Sequence, residues 1–204
     1  MKISLQDAGK RYNREWIFRH INYEFFPGVK YAITGANGSG KSTLLQVIAG
    51  AVLQSEGKVI FQKTPQSTLI PEAYKHLSVA APYLELIEEM TASEFLLFHS
   101  KFKPLTKEPG VILEEMELGA AASKQIRYFS SGMKQRLKLA QAFFSETPVV
   151  LLDEPTTNLD TNGIALYHHL ISNYTTGRLV IVSSNDKQEY GFCDNVIKIE
   201  DYKK

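Results

Sequence analysis

The sequence is short of cysteine, of net charge and of long apolar runs, and each shortage closes off a class of protein. A single cysteine among 204 residues, Cys193, excludes an intramolecular disulfide framework and a multi-cysteine zinc site. It also suits a reducing compartment. Twenty-three basic against 22 acidic side chains leave a formal charge of +1. No strong overall field therefore draws the chain to nucleic acid or to an anionic membrane surface. No stretch approaches the roughly 18–20 apolar residues that cross a bilayer. The opening residues, Met1 to Tyr12, carry no apolar run of the signal-peptide kind. Any work at a membrane must borrow its span from a partner. Internal repeats, low-complexity tracts and blocks of like charge are absent too. What is present is a 44% hydrophobic fraction, a 22% charged fraction and 13 glycines. That is the balance of one globular domain of ordinary size, long enough to bury a substantial core.

Along the chain, Lys2–Leu5, Trp16–Phe26 and Val29–Thr34 read as strands bounded by turn residues such as Pro27-Gly28. Lys58–Phe61 and Thr68–Ile70 read as shorter ones. From residue 80 to 146 the character changes. Thr91–Lys103 and Val111–Leu118 alternate acidic and apolar residues at helical period, with Pro104 and Pro109-Gly110 between them. Ser130–Glu146 is a long helix candidate. The end returns to alternation, with strands at Val149–Leu152, Leu179–Ser183 and Val196–Ile199 and a helix over Ile164–Asn173. Strands alternating with helices imply an α/β fold with a mostly parallel sheet. The expected organisation is one domain, with a β-rich core of residues 1–79 and 147–204 and a helical subdomain of residues 80–146 inserted between them.

Two motifs carry chemistry. Gly35-x-x-x-x-Gly40-Lys41-Ser42 follows a predicted strand and opens a helix over Leu44–Ala49, which Gly50 closes. Glycines let such a loop curl until successive N–H groups converge on phosphate oxygens, and the helix N-terminus adds its positive dipole end. The candidate phosphate cradle is Gly35, Ala36, Asn37, Gly38, Ser39, Gly40, Lys41, Ser42 and Thr43. Lys41 would reach the β- and γ-phosphates, and the Ser42 hydroxyl would ligate Mg²⁺. The bland alternative is a glycine-rich turn before a helix. Further on, the apolar strand Val149–Leu152 ends in Asp153 and Glu154. The C-terminal end of a parallel strand is where ligands bind, so Asp153 would hold Mg²⁺ and Glu154 would polarise an attacking water. Here the bland alternative is a solvated strand end.

Taken with Phe129-Ser130-Ser131-Gly132-Met133-Lys134-Gln135-Arg136 and Thr157-Asn158-Leu159-Asp160, these motifs resemble the nucleotide-binding subunit of ABC transporters over almost the whole chain. The resemblance implies a P-loop NTPase of ABC type: a mostly parallel core sheet, an antiparallel β subdomain and an inserted α-helical subdomain. It implies ATP with Mg²⁺, and two such domains joined head to tail as a homodimer or heterodimer. In that arrangement Ser130 and Gly132 meet the γ-phosphate of ATP held by the second domain, and Asp160 couples the two sites. Tyr12 would stack on adenine, with Trp16 as the alternative; plain packing serves equally for either. The implied partner is a transmembrane permease subunit, received by a groove around Tyr83, Leu84, Leu86 and Ile87 rimmed by Glu85, Glu88, Glu89 and Glu94. Without that role, the same acids read as a solvated helical face. The implied setting is cytoplasmic and peripheral on the inner face of the membrane, with no direct membrane insertion and no nucleic acid.

The sequence departs from the family pattern in three features. Ser131 and Met133 stand where the signature usually has glycine and glutamine. No glutamine occurs in Ser78–Glu85, the segment that usually supplies one as a sensor of Mg²⁺ and water; Tyr83 and Glu85 are the candidates to replace it. Asn185 takes the place of the usual switch histidine. An amide can hydrogen-bond a phosphate or the Glu154 carboxylate but cannot carry a proton, so the expectation is hydrolysis that is slower than in relatives with both residues or that needs the partner subunit to complete the site. The leading function is an ATP-hydrolysing transporter subunit. The alternatives are a soluble regulator or assembly factor on the same module, and a nucleotide-gated structural module that does not hydrolyse. His20, His76, His99, His168 and His169 lack partners at ligand spacing and read as surface or packing residues. Cys193 reads as a small buried residue.

Overall fold

The computed structural model describes residues 1–63, 68–69 and 72–203. Two sheets share one core. In the first, β1 (Lys2–Tyr12) and β2 (Glu15–Phe25) form an antiparallel hairpin, and β1 also pairs with β4 (Glu56–Lys63), which pairs with β5 (Thr68–Leu69). The order is β2-β1-β4-β5. In the second, β6 (Leu77–Ala80), β7 (Val149–Asp153), β8 (Leu179–Ser183), β3 (Lys30–Thr34) and β9 (Asn195–Lys198) lie in that order with every pairing parallel. Ile70, the last residue of one expected strand, lies outside the described residues.

The first strand runs seven residues past the expected Leu5, because bulges absorb the break in alternation. The register shifts between Leu5 and Ala8 and again between Ala8 and Lys10, and Asp7 takes a φ of 49°. Bulges add twist without ending a strand. The strand β6 was not foreseen; four residues give periodicity too little to act on.

Every residue of β7 and β8 is buried, and the pleat splits their side chains between two clusters. Val150, Leu152, Val180 and Val182 face the helical side, joined by Leu96, Ile112, Leu137 and Phe143. Val149, Leu151, Leu179 and Ile181 face the other side, with Leu44 and Ile48 of α1 (Lys41–Ile48) and Ile3, Phe18 and Phe25 of the antiparallel sheet.

The helical side holds α2 (Ala92–Ser100), α3 (Pro109–Glu115), α4 (Ser131–Phe143) and α5 (Thr161–Tyr174). Thr91 and Glu94 close a capping box on α2. The acidic group is therefore not one helical face: Glu85, Glu88 and Glu89 lie in the loop before α2, and Glu94 serves its cap. The fourth helix stops at Phe143 rather than Glu146. There Arg178 donates to the carbonyls of Phe143 (2.7 Å) and Ala142 (3.3 Å), satisfying the last turn. A short α6 (Lys187–Tyr190) follows β8, and Ile199 begins a 3₁₀ turn after β9. Among the described residues no helix is long and apolar enough to cross a membrane. At one edge of the parallel sheet, β3 delivers the glycine loop, β7 delivers Asp153 and Glu154, and β8 delivers Ser183 to Asn185. That convergence builds the site.

Candidate functional site

The loop from Gly35 to Gly40 curls against its surroundings so tightly that two glycines are obligatory. Gly35 has a φ of 152°, and a Cβ there would lie 2.6 Å from Glu200 Oε1; at Gly40, φ 106°, it would lie 2.4 Å from Ile17 Cγ2. No side chain caps α1 at Gly40, so its first N–H groups and dipole end face the cleft. Lys41 is buried and folds back onto the loop, donating to the carbonyls of Gly35 (2.9 Å) and Ala36 (3.2 Å). The Ala36 N–H donates to Glu200 Oε1 at 2.8 Å, and this bond is the chief reason the Glu200 carboxyl is held below the usual range. Ile17, Asn37 to Thr43 and Glu154 line a cleft of 210 Å³.

At the floor of this region Asp153 is 1% exposed. Burial raises its pKa, opposed by the nearby Ser183 and Ser42 hydroxyls and the Lys41 charge. Its Oδ1 has no hydrogen-bond partner, nor do the buried hydroxyls of Ser183 and Ser39. Buried polar atoms are normally paired, so an open carboxylate oxygen beside Ser42 is a donor set that fits a hard divalent cation such as Mg²⁺. Glu154 adopts a φ of 41°, with its N–H donating to Ser183 O at 2.9 Å. Asn185 Nδ2 donates to Asn37 Oδ1 at 3.1 Å, so the two loops touch directly. The Tyr83 hydroxyl has its pKa raised by burial and by the Asp153 charge. Of the two residues expected in place of the absent glutamine, Tyr83 is thus the one that feels the Asp153 charge. Glu85 lines a separate groove.

Ser130, Gly132 and Asp160 come together elsewhere, in a 400 Å³ cleft that also takes Ser131, Met133, Arg136, Asn158 and Leu159. Ser130 Oγ accepts from Met133 N–H at 3.2 Å and caps α4. A Cβ on Gly132 would lie 3.1 Å from Asn158 O. Asp160 Oδ1 accepts from Gly163 N–H at 2.8 Å, capping α5, and from Arg136 at 3.5 Å. A third depression, of 520 Å³, runs past Leu84, Glu85, Leu86 and Glu88 to Lys134 and Lys138. Tyr83 and Ile87 beside it are exposed.

Tyr12 stands at the tip of the β1–β2 hairpin, 46% exposed, with Lys10 Nζ 4.9 Å from its ring. Trp16 has the Arg11 and Arg19 guanidinium groups at 5.5 and 4.4 Å. Neither aromatic lines the phosphate cleft. Ile17 does, and sequence reasoning passed over it as an ordinary strand residue. It also passed over Glu200 and Ser183, for which no local signal exists. His168 and His169 are exposed on α5. Among the described residues no group of three His, Cys, Asp or Glu side chains is placed to hold a metal. Cys193 is half-buried, its thiol pushed up to about 12 mainly by burial.

The glycine loop on a parallel sheet, with an acidic strand end beside it, defines a P-loop nucleotide-binding domain. Residues 18–157 match the family described as ABC transporter, and the chain belongs to that family. It is 28% identical over 203 residues to an ABC transporter ATP-binding protein of Bacillus subtilis, YybJ, covering 97% of this chain and 92% of that one. It is 34% identical over 157 residues to the cytochrome c biogenesis ATP-binding export protein CcmA of Xylella fastidiosa, covering 76% and 71%. Among solved structures, a putative ABC transporter ATP-binding protein from Pyrococcus furiosus superposes with a TM-score of 0.82 at 18% identity, covering 99% of each chain. A dimeric ATP-binding cassette bound to ADP and Pi superposes with a TM-score of 0.81 at 23% identity, covering 97% and 94%. The fold is that of an ABC ATP-binding cassette.

Proposed function

We propose that this cassette hydrolyses ATP and couples nucleotide-driven closure of a cassette pair to movement of a transmembrane permease. The observation that carries the hydrolytic reading is the open Oδ1 of buried Asp153 beside Ser42, with Glu154 lining the adjoining cleft. In this reading the N–H groups of residues 38–43 cradle the phosphates. Lys41 leaves the Gly35 and Ala36 carbonyls to meet the β- and γ-phosphates. Ser42 and Asp153 hold Mg²⁺, which when bound neutralises phosphate charge. Glu154 accepts a hydrogen bond from the attacking water and orients it in line with the γ-phosphorus. Asn185, already bonded to Asn37, donates its amide toward the γ-phosphate. Tyr12 is the adenine platform at the hairpin tip.

The second cleft completes the site of another cassette. The α4 N-terminus with Ser130 and Gly132 offers N–H donors to a γ-phosphate presented from outside, and Asp160 lies at the same rim. The partner cassette is a second copy or a related chain. The permease partner docks at the depression over Leu84, Glu85 and Leu86, and through it the cassette sits peripherally on the membrane. Relatives named as ATP-binding proteins of transporters and of an export system support this assignment.

The deciding experiment measures Mg²⁺-dependent phosphate release from ATP by the wild type and by Glu154→Gln. Turnover lost in the variant with ATP binding retained supports the reading. Equal rates in both overturn it. Co-purification with a polytopic membrane protein, rather than with ribosomes or a soluble scaffold, tests the transport assignment separately.

A further inference from the structure

We propose that Glu189, together with Gln135, is a positioning residue that clasps the turn at residues 154–156 and so aims Glu154. The proposal rests on the reading of Glu154 as the group that orients water. Glu154 is not glycine, its φ is 41°, and it precedes a proline, which further narrows its allowed conformations. Such a conformation persists only where the surroundings over-determine it.

Three elements supply that constraint. From β8, Ser183 O accepts the Glu154 N–H at 2.9 Å. From α4, Gln135 Nε2 donates to Pro155 O at 2.8 Å. From α6, Glu189 Oε1 accepts both the Thr156 N–H (2.7 Å) and the Thr156 hydroxyl (2.6 Å). Gln135 and Glu189 are 3% and 4% exposed.

The chemistry of Glu189 is what singles it out. Among the described residues no basic side chain pairs with it; the ten ion pairs there all use other acids. A buried carboxylate without a cation is unfavourable for folding. The carboxylate is spent on one residue, two positions after Glu154. Its own backbone is fixed by the Tyr167 hydroxyl, which donates to Glu189 O at 2.7 Å from a fully buried ring.

The clasp also reaches both clefts. The helix bearing Glu189 starts just after Asn185, which bonds Asn37 of the phosphate loop. Gln135 lies on the helix that Ser130 caps. A tilt of α4, imposed by whatever meets Ser130 and Gly132, therefore pulls on the Pro155 carbonyl and on the aim of Glu154.

The test compares wild type, Glu189→Ala, Glu189→Gln and Gln135→Met, alone and combined with Glu154→Gln. Glu189→Ala is expected to lower kcat about 10- to 100-fold, with KM and MgADP affinity within about twofold. Glu189→Gln, which keeps one acceptor, recovers most of the loss. In the Glu154→Gln background the same change lowers the residual rate by less than about twofold, because the group it positions is already gone. Amide hydrogen exchange at Thr156 rises in Glu189→Ala. If that variant fails to fold, Gln135→Met, which removes the donor to Pro155 O, carries the comparison with the same expected fall in kcat and the same small effect in the Glu154→Gln background. An unchanged kcat, a fall in MgADP affinity that matches the fall in rate, or an equal loss in the Glu154→Gln background overturns the proposal. Failure of the underlying reading looks different: a wild type that binds MgATP yet shows no turnover removes the role of Glu154, and this inference with it.

Discussion

The two clefts are built on opposite principles. The phosphate-loop cleft is unfinished as a piece of protein. Asp153, Ser39 and Ser183 each keep a buried polar atom with no partner, Glu154 is held at a strained φ, and Lys41 is turned back onto its own loop. Unpaired buried groups are costly, so this arrangement makes sense only with a ligand to pair them. The Ser130 cleft leaves no buried side-chain polar atom unpaired. Ser130 caps α4 and Asp160 caps α5, and both side chains are exposed. Taken as local structure it is complete. The role proposed for it needs a second molecule. In the proposed reading, one half of the site declares itself by electrostatic demand, and the other has the form of ordinary helix capping.

That contrast breaks most visibly at Glu154. Glu154→Gln should lower phosphate release by roughly 10²- to 10⁴-fold, the usual contribution of a positioned base, while ATP binding persists. A variant that hydrolyses normally would reduce the first cleft to a binding pocket. Next in size, Lys41→Ala removes the buried cation that the proposed reading assigns to phosphate. Charged hydrogen bonds contribute about 1.5–3 kcal/mol, so titration should show ATP affinity falling roughly 10- to 100-fold. Unchanged affinity would mean that the lysine serves only the loop carbonyls it now touches.

The second cleft needs a substitution that separates capping from anion binding. Ser130→Asp keeps an N-cap as good as serine and places a negative charge where a γ-phosphate would arrive. Thermal melting should therefore stay at the wild-type value or rise slightly. ATP-dependent pairing of cassettes, followed by sedimentation in the Glu154→Gln background, should weaken about 10-fold or more. Ser130→Ala should show the reverse balance, losing about 1 kcal/mol of stability with a smaller effect on pairing. If both variants lose stability and pairing in proportion, Ser130 is a cap and nothing else.

How much of this was legible beforehand follows from the range of the interactions involved. The glycine loop and the apolar strand ending in Asp153 and Glu154 are local patterns, and the parallel sheet follows from strand–helix alternation. The Ser130 cleft entered through resemblance alone, because a serine before a helix already has a sufficient local explanation. Glu85 to Glu89 read as a helical face, yet the capping box at Thr91 starts the helix after them. Glu200 gave no signal at all: it reaches Ala36 across 164 residues, and no window of sequence holds both. Glu189 was equally hidden, since its helix is only four residues long.

The smallest expected change lies where the first cleft departs from its family. Asn185 Nδ2 donates to Asn37 Oδ1 at 3.1 Å, which fixes the amide with its nitrogen toward the loop. An amide placed there can donate to a phosphate oxygen but can neither accept a proton from water nor carry positive charge. Imidazole can do both near neutral pH. Asn185→His should therefore raise the turnover of the assembled complex several-fold, and the gain should fade below the histidine pKa if the neutral ring is the active form. Phosphate release measured from pH 6 to 8 checks both points. A flat profile with no gain would show that the Asn37 contact, rather than proton chemistry, is what position 185 contributes. The first cleft would then be complete as it stands once its nucleotide is bound.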